Sequence, residues 1–87
     1  MTEDTIHPFD VELLQLISDL EGRLGPKVIF HAREDLKYGE YQMCLEGIIC
    51  GLEDIDRPIP ADILNRLIEY SAAVHLGENA CKDLRPE

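Results

Sequence analysis

Positive charge is scarce in this chain: 8 Lys and Arg stand against 18 Asp and Glu in 87 residues, a formal net charge of −10. A surface of that sign repels phosphate backbones, so direct nucleic-acid binding is not expected. Long apolar runs are missing too. No segment approaches the roughly 18 consecutive apolar residues of a membrane helix, and Met1-Thr2-Glu3-Asp4 is acidic where a secretion signal is basic. The expected location is cytoplasmic, with no membrane contact. Cysteine pairs are equally lacking: Cys44, Cys50 and Cys81 form an odd set with no CxxC and no zinc-type His spacing. Free thiols in a reducing compartment are the expectation.

Constellations that carry catalysis do not occur. His7, His31 and His75 fall in three separate segments, and none belongs to an HxxxH pair that would set two ring nitrogens on one helix face. Gly22, Gly25 and Gly39 sit at segment ends, and no glycine-rich phosphate cradle follows a strand. Cys44 lies on an apolar stripe, whereas a nucleophilic thiolate needs an exposed, electropositive setting. The chain is therefore read as non-enzymatic, with no metal and no cofactor.

What is present is enough apolar material, 45% of residues, for one folded domain over residues 1–87. A chain of this length buries roughly 60 to 65% of its unfolded surface, which supports one modest core. Apolar residues recur at three- and four-residue steps in four stretches, the signature of amphipathic helices. The first is predicted over about 9–24, with Phe9, Leu13, Leu16, Ile17, Leu20 and Leu24 on one face. Gly25-Pro26 closes it, and a second helix follows over 26–37. The third, over 40–56, carries Tyr41, Cys44, Leu45, Ile48, Ile49, Leu52 and Ile55 and is the expected centre of the core. Arg57-Pro58-Ile59-Pro60 breaks it. The fourth spans about 60–76, with Gly77 as its stop and residues 78–87 as a short helical turn or loose tail. No alternating run supports a strand. The fold class is all-α, a compact bundle of four main helices with short loops.

Gly47 and Gly51 lower the stability of the third helix by about 1 kcal/mol each relative to alanine. Either a neighbouring helix packs on that face, or the face is a flat patch for a partner.

The stretch Leu36-Lys37-Tyr38-Gly39-Glu40-Tyr41-Gln42-Met43-Cys44-Leu45-Glu46, followed by Leu52 and then Pro58-Ile59-Pro60, resembles the MafI-like immunity proteins of bacterial polymorphic toxin and contact-dependent inhibition systems. The likeness covers about residues 11–77 in helix order and spacing. Its most specific part is Gly39-Glu40-Tyr41 to Leu45-Glu46 together with the Pro58-Ile59 turn. The departures from the pattern are Cys44, where alanine or another small residue is expected, and the glycines at Gly47 and Gly51. The resemblance implies a protein that binds and neutralises the C-terminal toxin domain of a cognate effector, commonly a basic nuclease. Composition fits independently, because an acidic bundle is steered toward a cationic cleft.

Candidate toxin-binding residues are Glu46, Glu53 and Asp54 on polar positions of the third helix, Asp56 beyond its end, and Tyr38 beside the Gly39 turn. The last is included because exposed aromatics are common interface anchors. A second class of function is also carried forward: an acidic helical dimerisation or adaptor module, for whose homodimer Ile29 and Phe30 would supply an apolar strip.

Overall fold

The computed structural model describes residues 8–77 and 79–87, so His7 and the acidic residues 1–4 lie outside the description. Four helices follow one another: α1 (Pro8–Asp19), α2 (Pro26–Lys37), α3 (Tyr41–Ile55) and α4 (Ala61–Ala73). Among the described residues the only β-type pairing is two isolated bridges, Glu21 with Leu24 and Ile59 with Pro86. No helix among them is long and apolar enough to cross a membrane. An all-α bundle is the fold.

Helix starts follow the prolines. Pro8 and Pro26 each stand in a first turn, where a missing N–H costs no hydrogen bond. Helix ends follow the left-handed residues. Gly39, at φ 74°, closes α2 while the Glu40 N–H reaches back to the Asp35 carbonyl at 2.8 Å, satisfying an otherwise orphaned acceptor.

Two helices are shorter than the periodicity predicts. α1 ends at Asp19 and not near Leu24, because Gly22 adopts φ 93° and turns the chain three residues before Gly25. Leu24 still reaches the core, 5% exposed, through this turn. α4 ends at Ala73 and not near Leu76: His75 takes the left-handed position at φ 64°, and the Leu76 N–H bonds to the Ser71 carbonyl at 2.9 Å. Gly77 lies beyond a stop already made.

The core forms where the stripes meet. α3 packs on both α2 and α4, and α1 packs on α2. Leu13, Leu16, Ile17 and Leu20 from α1 and its end, Cys44, Leu45 and Ile48 from α3, and Leu67 from α4 are fully buried. At one end the Phe9 ring meets Tyr41 and Tyr70 edge-on, at centroid distances of 5.4 and 5.5 Å. Tyr70 is buried, and its hydroxyl donates to Glu12 Oε1 at 3.4 Å. Gln42 Nε2 donates to the Val74 carbonyl at 2.6 Å, tying the start of α3 to the end of α4.

The C-terminal segment is docked and irregular. Cys81 and Leu84 are buried, and the Ile59 backbone pairs on both sides of Pro86, accepting from the Glu87 N–H at 2.7 Å and donating to the Arg85 carbonyl at 2.9 Å.

The two glycines of α3 have different reasons. A Cβ on Gly51 would stand 3.0 Å from Leu24 Cδ2 and 3.1 Å from Val28 Cγ1, so this turn is where α2 comes close. A Cβ on Gly47 would meet nothing within 4 Å. Gly47→Ala is therefore expected to recover the helix propensity in full, about 1 kcal/mol, raising Tm by roughly 4–8 °C. Gly51→Ala is expected to give no increase, because Leu24 and Val28 must move; thermal unfolding of the two variants side by side checks this.

Candidate functional site

The placement of the arginines decides which carboxylates remain open. Arg66 Nη2 holds Asp19 Oδ2 at 2.9 Å and Asp62 Oδ2 at 3.6 Å, Arg23 holds Glu87 at 3.2 Å, Arg85 holds Asp56 at 3.1 Å, and Arg33 pairs with Glu21. The Asp19 carboxyl titrates below its ordinary range, first through its hydrogen bond from Gln15 and then through Arg66. None of these cations reaches the outward face of α3. Among the described residues Glu46, Glu53 and Asp54 have no ion pair.

That absence has an energetic side. The last turn of α3 carries no basic residue; it holds Glu53 and Asp54 where the helix dipole is negative. Half-buried Glu53 and exposed Asp54 each cost about 0.3–1 kcal/mol there. Asp56, the residue just past the helix, takes a left-handed conformation at φ 56°, and Arg85 donates to both its Oδ1 and its carbonyl. One cation thus caps the helix end, and it serves Asp56 alone.

Glu46 and Glu53 lie two turns apart on one line of α3. They stand together on a groove of about 410 Å³ that Ile49, Cys50, Leu76 and Ala80 complete. Asp54 continues a neighbouring line, Met43-Gly47-Cys50-Asp54, at four- and three-residue steps. All four are exposed, Met43 by 53%. The result is a strip that is low at Gly47 and Cys50, with Met43 at one end and acid along it. A backbone or a long cationic side chain can approach closely at Gly47, where no side chain stands in the way.

The remaining candidates are arranged differently. Tyr38 is 69% exposed with Lys37 Nζ 5.7 Å from its ring centroid. It precedes α3, about 20 Å from Asp54 along a helix rising 1.5 Å per residue, so Tyr38 and the acidic strip do not form one cluster. Asp56 is occupied by Arg85. Of the apolar pair considered for self-association, Ile29 is buried, since it turns into the core with Ala32 and Leu36; only Phe30 is exposed.

The tertiary pairings Arg85 with Asp56 and Arg23 with Glu87 carried no local signal in the sequence. Among the described residues, no group of three or more His, Cys, Asp or Glu side chains is arranged to hold a metal ion.

The thiols differ sharply. Burial, helped by Asp35, pushes Cys44 up to about 12, and burial raises Cys81 as well, partly offset by its contact with Ser71 at 3.9 Å. Cys50 is exposed on the acidic strip. Titration of the native protein with a disulfide reagent at neutral pH should therefore modify one thiol per chain rapidly. Peptide mapping should place it at Cys50, and Cys50→Ser should abolish the fast phase.

Comparison with protein-family models, with curated proteins and with solved structures finds no match for this chain.

Proposed function

We propose that this protein is a non-enzymatic binding module whose α3 face engages a cationic protein domain, and that this partner is a toxin domain, a basic nuclease, which the complex silences. The observation that carries the reading is the row Glu46, Glu53 and Asp54. These carboxylates stand open on one helix while four of the five arginines are paired elsewhere, and two of them oppose the helix dipole. Local rules broken without compensation are commonest at functional positions. A basic domain docked on the strip supplies the missing positive charge. Its approach is steered by the field of the whole molecule, and affinity comes from a few desolvated anchors. Tyr38 serves as an anchor only for a partner wide enough to span α3. The identity of the partner as a toxin rests on the resemblance of residues 36–60 to the immunity proteins.

The deciding experiment is co-expression with the toxin-like domain encoded beside the gene, followed by nuclease assay and association kinetics. A tight complex that silences the nuclease supports the reading. With no complex, a concentration-dependent mass would favour a self-associating adaptor.

Two outcomes are expected to move in opposite directions. Glu46→Gln, Glu53→Gln and Asp54→Asn combined should slow association about tenfold. The two changes in the last turn should meanwhile stabilise the free protein by about 0.3–1 kcal/mol each, seen by urea unfolding. Raising salt from about 50 to 500 mM should slow association of the unaltered chain much more than it speeds dissociation. Equal association rates at both salts would remove the acidic strip from the mechanism.

A further inference from the structure

A pocket of about 490 Å³ opens between the α1–α2 turn and the 57–60 linker, lined by Leu52, Ile55 and Ile59, by Arg23 and Arg57, and by Glu87. Two arginines lining one pocket are out of keeping with a chain of net charge −10. Arg57 is the one arginine without an ion pair among the described residues, and Ile55 beside it is a large apolar side chain 39% exposed. Arg23 already holds a carboxylate, that of Glu87, at 3.2 Å. Both side chains of this pair face solvent, so the contact is weak and exchangeable. The Glu87 carboxylate is brought there by backbone pairing of its own segment with Ile59.

We propose that this pocket binds a small carboxylate carried on a short apolar body. Arg57 supplies the open arm, Arg23 is shared with Glu87, and Leu52, Ile55 and Ile59 receive the apolar part. Guanidinium suits this ligand because its planar fork matches the two carboxylate oxygens. The aliphatic wall selects an organic acid over a fully hydrated inorganic anion, which gains nothing from apolar contact. Glu87 is then a built-in competitor, and removing its charge frees Arg23 for the ligand. The site is separate from the acidic strip and takes a ligand of the opposite charge, so it does not depend on the toxin reading.

The test is an NMR titration of the full chain with 4-methylpentanoate, with 4-methylpentanamide and inorganic phosphate as controls. Expected are saturable shifts of the Ile55 and Ile59 methyls and of the Arg57 Nε–H, with little response to either control. Glu87→Gln should tighten binding at least about threefold, and Arg57→Gln should weaken it about tenfold, the scale of one charge-assisted contact. Arg57→Lys, which keeps the charge and loses the fork, should fall between. Arg57 is exposed, so neither replacement disturbs the core. The proposal is overturned by the absence of saturable shifts up to about 20 mM acid in both the unaltered chain and Glu87→Gln. Equal binding of amide or phosphate overturns it as well, and so does unchanged affinity in Arg57→Gln.

Discussion

Leu24 and Val28 rest over Gly51 so closely that a Cβ there would stand 3.0 and 3.1 Å from them, and this seat marks where α2 and α3 approach. With α2 on one flank and α4 on the other, α3 buries Cys44, Leu45, Ile48 and Leu52 and keeps one strip facing outward. Gly47, Cys50 and the unpaired carboxylates of α3 lie on or around that strip. A larger residue at position 51 would push the helices apart and loosen the packing that aims Glu46, Glu53 and Asp54 away from the core.

Charge is distributed unevenly over this frame. The carboxylates held by arginine sit where helices end or where the C-terminal segment returns, and the pairs join separate elements: Arg66 bridges α4 to Asp19, Arg33 bridges α2 to Glu21, and Arg85 bridges the last segment to Asp56. These exposed pairs are individually weak. Together they neutralise carboxylates near helix ends and leave Glu46, Glu53 and Asp54 of α3 without an ion pair. The same strip contains residues unfavourable for helix stability, open Gly47 and the anions Glu53 and Asp54 of the last turn. Stability and exposure of a bindable face are in opposition there.

The C-terminal segment gives the 57–60 linker a structural role. Two prolines stop α3 from running into α4, and Ile59 between them is buried, with its backbone free to pair with residues 85 and 87. That pairing delivers Arg85 to the end of α3 and Glu87 to Arg23. One segment therefore closes the acidic row at Asp56 and forms a wall of the arginine-lined pocket.

The four helices, their order and most of their buried residues were legible in the amino-acid sequence, because helical periodicity and the punctuation of proline and glycine act within a few residues of chain. α2 occupies the expected span, and the outward position of Glu46 and Asp54 followed from the same spacing. Helix ends were less legible: a left-handed histidine at 75 has no local signature, and of several nearby glycines only the fold selects the one that turns. The two glycines of α3 read alike in sequence and differ completely in space, one under Leu24 and Val28 and one in the open. Ion pairing between elements was not legible. Asp56 and Arg85 lie 29 residues apart and Arg23 and Glu87 lie 64 apart. The sequence by itself determined the class of fold and the sign of its surface, since periodicity and composition are local or summed properties. Which carboxylates stay open and which arginines share a pocket was decided only by the tertiary structure, because those distances depend on how the helices and the returning C-terminal segment pack.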